Sequence, residues 1–267
     1  MRVLQNNMKP PLTYYGGKQK LAQTIISMIP KHRLYCEPFF GGGAVFFAKS
    51  PAPLEVINDN NGELINFYKV VKTNFKELEK EIKCTLHSRE YHRDAKIVLG
   101  YPQLFNEVKR AWAVWTLANQ SFASNLEGTW RCDYKKNTTP KRLENKKTNF
   151  VEEYAKRLEQ VQIENRDALK IIQTWDSKDT FFYCDPPYFN SDMGHYKGYT
   201  EQDFKNLLQA LSEIKGKFIL SSYPSEILEK YIKKHKWFSK KIEGIQVSVS
   251  LGKRKTKTEV LTGNYEI

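Results

Sequence analysis

The chain has 267 residues, 40% of them hydrophobic and 27% charged, and this composition excludes an intrinsically disordered or fibrous protein. Its net charge of +13 and pI near 9.4 favour a polyanionic partner, most simply nucleic acid. An anionic membrane surface is the lesser alternative, and a charge that serves only solubility is a third.

Two glycine-containing segments near the amino terminus predict a ligand site. Residues 13–18, Thr-Tyr-Tyr-Gly-Gly-Lys, place a glycine pair before an amphipathic helix. The spacing and the glutamine after Lys18 exclude a phosphate loop. Residues 34–37, Leu-Tyr-Cys-Glu, predict a strand, and residues 38–47 predict a glycine-rich turn into a helix. Strand, turn and helix together form the first unit of a nucleotide-type fold.

A second predicted strand ends at Asp59, 22 residues after Glu37. An acid at the tip of the second strand is typical of sites that bind ribose hydroxyls, at a spacing of about 20 residues. The turn after the first strand lacks the glycine pattern of pyrophosphate sites. A cofactor with adenosine but no phosphate fits better, which indicates S-adenosylmethionine.

Strand patterns disappear between residues 73 and 160, and helical periodicity takes their place. A helix around 103–122 would carry Leu104, Val108, Trp112 and Trp115 on one side, and we expect the tryptophans to be core residues rather than base-stacking platforms.

A basic segment follows this helix. Residues 131–147 contain seven Lys or Arg against two acids, which predicts a loop or hairpin that follows a phosphate backbone, with a solvated loop as the alternative. The candidate DNA contacts in it are Arg131, Lys135, Lys136, Lys141 and Arg142.

Residues 181–188, Phe-Phe-Tyr-Cys-Asp-Pro-Pro-Tyr, predict a buried strand that stops at a carboxylate and two prolines. At that position Asp185 and the carbonyl of Pro186 would accept the two hydrogens of an exocyclic amine, and Tyr188 would stack on its base. Two such acceptors favour a tetrahedral nitrogen and free its lone pair for attack. Pro187 restrains the backbone of Pro186. An ordinary Asp-Pro turn is the alternative.

The carboxyl-terminal region adds a strand at 218–220, a basic helix at 225–236 and a hairpin of residues 246–251 with 260–265. Its turn is a second candidate phosphate contact, through Lys253, Arg254, Lys255 and Lys257. The four cysteines lack paired metal spacing, so we expect no metal and a reducing, cytoplasmic setting. No apolar run reaches the length of a membrane span or a signal peptide.

These blocks, in this order, resemble the DNA adenine methyltransferase (Dam) family over nearly the whole chain. The resemblance implies an α/β fold, namely a Rossmann-like methyltransferase sheet with an inserted, mostly helical target-recognition domain. It implies a cofactor-binding part at 1–72, the DNA-binding insert at 73–160 and a catalytic part at 161–267. It also implies S-adenosylmethionine as methyl donor, no metal, and a flipped-out adenine in double-stranded DNA as substrate.

Carried over by position, the catalytic residues would be Asp185, Pro186, Pro187 and Tyr188. The cofactor contacts would be Tyr14, Gly17, Lys18, Glu37, Phe39, Gly41, Gly43, Asp59, Asp167 and Asp185. A monomer is expected, encoded by a bacterium or a phage, and a cognate restriction endonuclease stays open as a functional partner.

Two departures from the family pattern bear on specificity. Tyr14 and Tyr15 stand where tryptophan and a small residue are common, which retains the aromatic ring. Residues 121–126 differ from the segment that the best-known members use in target recognition, so GATC specificity is not implied. The alternatives are methylation of the cytosine amine, an RNA adenine target and a catalytically silent DNA-binding relative.

Overall fold

The computed structural model describes residues 8–14, 16–134, 136–190, 198–246 and 256–267. The strands in chain order are β1 (Leu34–Glu37), β2 (Leu54–Asn58), β3 (Gln162–Glu164), β4 (Thr180–Cys184), β5 (Lys217–Ser222), β6 (Phe238–Gln246) and β7 (Thr256–Gly263). The helices are α1 (Ala22–Met28), α2 (Ala44–Ala48), α3 (Gly62–Thr73), α4 (Phe75–Lys83), α5 (Arg89–Gly100), α6 (Glu107–Gln120), α7 (Thr138–Thr148), α8 (Glu153–Leu158), α9 (Ala168–Trp175), α10 (Glu201–Glu213) and α11 (Glu226–His235). The predicted α/β class is confirmed by this mixture and by a sheet that has seven strands within the described residues.

The chain divides into two compact units. The first contains the chain up to Gln23 together with Gly41–Ser50 and Asn61–Asn165, and the second contains Thr24–Phe40, Pro51–Asn60 and Arg166–Ile267. This division describes compactness. The boundaries given above for cofactor-binding, DNA-binding and catalytic parts describe function and stay a prediction.

Six strands of the second unit lie in the order β2-β1-β4-β5-β7-β6. β2, β1, β4 and β5 are parallel, whereas β7 runs antiparallel to both of its neighbours. All five residues of β4, Thr-Phe-Phe-Tyr-Cys, are buried, as a parallel strand covered on both faces requires. The core of this unit joins β-strand residues such as Phe182 and Leu220 to Ile171 of α9 and Leu207 of α10.

The first unit is mainly helical. Trp112 and Trp115 of α6 are 2% and 0% exposed, so the prediction that they are core residues is confirmed. The indole of Trp112 donates to the hydroxyl of Thr85 at 2.7 Å, which satisfies its buried N–H. Phe75 and Phe150 stack in the same unit with ring centroids 5.1 Å apart.

Two expected elements differ in extent. Helix α6 begins only at Glu107, because Pro102 opens a separate 3-10 turn and the side chain of Asn106 caps α6 by accepting from Lys109 N. Leu104 lies in that turn and is 72% exposed, so the prediction that it belongs to the helix, on the side of the tryptophans, was wrong.

At the carboxyl terminus β6 pairs antiparallel with β7 and begins at Phe238, eight residues before the predicted strand, of which residues 247–251 lie outside the described residues. Its pairing with β7 shifts register between Ile242 and Ile245, where Gly244 has φ 75°. β6 is the last strand in the order and carries exposed lysines at 240 and 241. Charged side chains of this kind are common on edge strands. Those lysines obscured the strand pattern in the sequence.

Candidate active site

Three of the predicted site acids lie at one edge of the sheet in the second unit. Glu37 is the last residue of β1, Asp59 follows β2 and Asp185 follows β4. β1 pairs in parallel with both β2 and β4, so all three strands present their carboxyl ends at this edge. This is where open α/β sheets bind ligands.

Glu37 is 2% exposed, although a buried carboxylate is costly without hydrogen bonds. The hydroxyl of Tyr35 donates to its Oε1 at 2.5 Å. Burial, followed by the charge of Glu37 and this hydrogen bond, raises the pKa of Tyr35 well above its usual value, so the phenol remains a donor. Phe39, two residues later, is half-buried and packs against the core of the unit.

Asn58 holds two loops of this edge together. Its buried amide nitrogen donates to the carbonyl oxygens of Pro38 and Arg166, at 2.9 and 3.0 Å. Its amide oxygen accepts from Arg166 N at 2.9 Å, and its backbone carbonyl accepts from Phe40 N at 2.9 Å. The loop after β1 and the entry to α9 are thus both tied to the end of β2.

Asp167 has a structural role as the N-cap of α9. Its Oδ1 accepts from the backbone N–H groups of Leu169 and Lys170, at 3.1 and 3.2 Å, and the residue is exposed. The expected contact with the cofactor adenine stays a prediction.

Asp185 belongs to a cluster of hydroxyl and carboxyl groups after β4. The hydroxyl of Tyr188 lies 3.1 Å from Asp185 Oδ1 and also hydrogen-bonds Oε1 of Glu259, on β7. The rings of Tyr188 and Tyr223 meet edge to face, with centroids 4.4 Å apart. The pKa of Tyr188 is raised well above its usual value, first by burial and then by the charge of Asp185.

The two prolines end the strand as expected. β4 stops at Cys184, and every peptide bond is trans in the described part of the chain. Pro186 is buried and Pro187 is half-buried. Because proline has a fixed φ and no N–H, this backbone is stiff where its carbonyl oxygens end the strand.

In the first unit, Tyr14 lies against the glycine turn that follows β1. Gly41 and Gly43 have φ of 50° and 67°, in the left-handed region that favours glycine. A Cβ on Gly42 would lie 3.1 Å from Cβ of Tyr14, so this backbone passes close to Tyr14. Lys18 is buried and donates to Gly16 O at 3.2 Å, and a Cβ on Gly17 would meet Tyr14 O at 3.0 Å.

The basic segment is a helix over much of its length, so the expectation of a loop or hairpin at 131–147 was wrong for α7. Asp133 explains the start of this helix, because its Oδ2 accepts from Thr138 N at 2.7 Å and from the hydroxyl of Thr138 at 2.5 Å. Thr139 and Leu143 are the buried residues of α7. Two buried positions give too weak a helical period to be recognised in the sequence.

We expect Asp133→Ala to destabilise the first unit, by about 1 kcal/mol as for other capping residues. The physical reason is that the amide of Thr138 loses its acceptor. Thermal unfolding of this variant beside Asp94→Ala, which removes an exposed acid within α5, measures the effect. Equal melting temperatures for the two variants would contradict the capping role.

Of the candidate DNA contacts, Lys136, Lys141 and Arg142 are exposed in the first unit. Arg131 is half-buried and donates to Asn119 O at 3.3 Å. Burial, followed by the charge of Arg142, lowers the pKa of Arg131. Four further predicted contacts lie outside the described residues, namely Lys135, Lys253, Arg254 and Lys255.

The described residues contain no group of three or more His, Cys, Asp or Glu side chains that could hold a metal ion. Within the same ranges, no helix is long and apolar enough to cross a membrane.

Sequence reasoning missed three residues of the second unit, namely Asn58, Tyr223 and Glu259. Asn58 precedes Asp59 directly and was overlooked in favour of the acid. Tyr223 follows β5 at the same carboxyl edge, a position that a search of all strand ends would have found. Glu259 lies 71 residues from Tyr188, and no local pattern connects the two.

Comparison with known proteins identifies relatives along nearly the whole chain. A family model described as D12 class N6 adenine-specific DNA methyltransferase matches residues 14–247. Type II methyltransferase M1.LlaDCHI of Lactococcus lactis subsp. cremoris is 29% identical over 291 aligned positions that cover 99% of each chain. Type II methyltransferase M.MjaIII of Methanocaldococcus jannaschii is 28% identical over 74% of this chain and 76% of its own. The DNA N-6-adenine-methyltransferase of Escherichia phage P1 is 28% identical over 74% of this chain and 27% of its own length.

Proposed function

Because the chain belongs to the D12 class of N6 adenine-specific DNA methyltransferases, we propose that Asp185, Pro186, Pro187 and Tyr188 carry out the methylation of adenine in DNA. The observation that carries this assignment is the position of Asp185 and Tyr188, hydrogen-bonded to each other directly after β4. The family is specific for N6 of adenine, so the alternatives of a cytosine amine and an RNA target are not retained.

The residues after β4 suit an amine substrate. The Asp185 carboxylate accepts one amine hydrogen and the Pro186 carbonyl accepts the other. Acceptors outside the ring plane favour a tetrahedral nitrogen, so their stabilisation increases towards the transition state. The Tyr188 ring covers the flipped base and offsets part of its unstacking, which costs a few kcal/mol.

Methyltransferases of this kind generally take the methyl group from S-adenosylmethionine, and we propose that donor here. The residues fit it, because the acids at the carboxyl edge suit ribose hydroxyls and a cationic donor. When bound, it supplies an electrophilic methyl group. Asp59 would hold the ribose, and Glu37 and Phe39 the methionine part. Further contacts are proposed from Tyr14, Gly17, Lys18, Gly41, Gly43, Asp167 and Asp185.

The proposed functional regions follow the predicted boundaries. We assign cofactor binding to 1–72, target recognition to 73–160 and catalysis to 161–267, with double-stranded DNA as the substrate form. We further propose a cytoplasmic monomer from a bacterium or a phage. The Type II names of two relatives support a role beside a restriction endonuclease.

The direct test is transfer of label from S-adenosylmethionine to unmethylated genomic DNA, followed by nucleoside analysis. We expect label in N6-methyladenine, and sequencing would then map the recognition site. DNA binding without any label would indicate a silent relative that retains the fold.

The exposed charges of α7 give a separate prediction. We expect Lys141→Ala with Arg142→Ala to weaken DNA binding, since each phosphate contact contributes a slope of about −0.9 to log K against log salt. The slope should therefore be less negative by about 2 in the double variant. Titration of fluorescent duplex DNA at several salt concentrations measures it.

Lys83→Ala is the matched control for this experiment. It removes an exposed lysine from α4, in the same unit but outside the basic segment. An unchanged slope in the double variant would show that Lys141 and Arg142 of α7 face solvent and do not contact DNA.

A further inference from the structure

Glu259 is a buried acid that the proposed mechanism does not use. It lies on β7, is 5% exposed and hydrogen-bonds the Tyr188 hydroxyl, which also lies 3.1 Å from Asp185 Oδ1. One phenol oxygen is therefore placed between two carboxyl groups. Buried acids are rare unless they are paired or hydrogen-bonded, so this contact needs a physical explanation.

Counting protons explains how both contacts can be favourable. The phenol of Tyr188 has one proton and can donate it to only one of the two carboxyl groups. The second contact then requires a proton on the other carboxyl group, which donates to the phenol oxygen. The raised pKa of Tyr188 means that the phenol keeps its own proton. The phenol oxygen of Tyr188 and one oxygen of each carboxyl group thus share two protons.

The direction of these two hydrogen bonds follows from the proposed role of Asp185. The proposed role of Asp185 as the charged acceptor of the amine requires its carboxylate form, so Tyr188 donates to Asp185 and the proton-carrying acid is Glu259. Glu259 is also the more buried of the two acids, and burial favours the neutral form of a carboxyl group.

We propose that Glu259 is a positioning residue for methyl transfer, which holds the Tyr188 hydroxyl and through it the orientation of the Asp185 carboxylate. This inference rests on the proposed roles of Asp185 and Tyr188. Tyr223 supports the same arrangement, because its ring meets the Tyr188 ring edge to face, at an interplanar angle of 66°. Glu259 restrains the hydroxyl end of Tyr188, and Tyr223 restrains its ring.

Tyr183 and Lys257 are two further ionisable groups of this region among the described residues. The Tyr183 hydroxyl hydrogen-bonds Ser221 at 3.0 Å, and burial and the charge of Asp185 raise its pKa well above the usual value. Lys257 lies 4.4 Å from the centroid of the Tyr223 ring. Tyr183 therefore stays neutral, and the positive charge of Lys257 lies over the ring of Tyr223.

A double-mutant cycle tests whether Glu259 acts through Tyr188. Glu259→Leu and Tyr188→Phe are made singly and together, and kcat and KM are measured with labelled S-adenosylmethionine and unmethylated genomic DNA. We expect each single change to lower kcat about tenfold with KM nearly constant, because each weakens the hydrogen bond that orients the charged Asp185 carboxylate. The double variant should be no slower than Tyr188→Phe. Losses that multiply, or a wild-type kcat in either single variant, would overturn the proposal.

The conservative variant Glu259→Gln supplies a readout that a purely structural role would not change. Its amide donates to the phenol oxygen as a neutral acid would, but it has no proton to lose. We expect kcat within about threefold of wild type and an alkaline limb of the kcat–pH profile that moves to higher pH. If the kcat–pH profiles of the Glu259→Gln variant and the wild-type enzyme coincide, Glu259 does not carry the shared proton. This test holds even if Glu259→Leu fails to fold.

Thr262→Val is the matched control on the same strand. The Thr262 hydroxyl is buried, with no hydrogen-bond partner among the described residues, so kcat should not change. Asp185→Ala distinguishes a failure of the inference about Glu259 from a failure of the proposed catalytic role of Asp185. If that variant is inactive while Glu259→Leu is fully active, only the inference about Glu259 fails; if Asp185→Ala is active, the proposed catalytic role itself fails.

Discussion

Asp185→Ala should lower methyl transfer by at least about 10³-fold, comparable to the loss of one preorganised group that stabilises a developing charge. Asp185 follows β4 directly and contributes the only charged acceptor of residues 185–188. Without it the amine loses an acceptor that strengthens as the nitrogen becomes tetrahedral. Single-turnover transfer to unmethylated genomic DNA measures the loss.

Binding of DNA should change much less in the same variant, because phosphate contacts dominate the affinity of proteins for DNA. Asp185→Asn keeps an acceptor oxygen without the charge, so its rate should fall between those of wild type and Asp185→Ala. Asp179→Ala is the matched control, since Asp179 is exposed and precedes the same strand at its opposite end. Substantial turnover by Asp185→Ala would refute the assigned role.

The segment proposed to be catalytic was predictable because its signal is local. An aromatic, fully buried strand that runs into Asp-Pro-Pro fixes its own end point, and the structure ends β4 at Cys184 as that pattern requires. Glu37 and Asp59 were predictable for the same reason, since each terminates its own apolar strand.

The partners of these residues were not predictable, because they are contacts across the fold. Glu259 reaches Tyr188 only through the position of β7 beside β5, where Val260 pairs with Ser222. No spacing in the sequence encodes that register. Helix α7 escaped recognition for a different reason, because its start depends on Asp133, five residues before Thr138. Most other residues of that segment are polar, a composition that also suits a solvated loop.

Asn58→Ala should be the most destabilising of the substitutions considered, by about 3 kcal/mol or more, because it removes all three hydrogen bonds of a fully buried side-chain amide. The partners are two carbonyl oxygens, of Pro38 and Arg166, and the N–H of Arg166. Both loops flank candidate cofactor contacts, Phe39 and Asp167. KM for S-adenosylmethionine should therefore rise as well, by about tenfold if the loops lose roughly 1.4 kcal/mol of binding.

Two further variants make the Asn58 result specific. Asn58→Asp keeps the acceptor for Arg166 N but loses both donors, so it should remain nearly as unstable as Asn58→Ala. Asn60→Ala changes an exposed asparagine two residues later and should stay within about 0.5 kcal/mol of wild type. Urea unfolding and initial-rate kinetics measure the two effects. If Asn58→Ala unfolds at the wild-type urea concentration, the amide does not hold these loops. A stability loss without a rise in KM would show instead that the loops do not reach the donor.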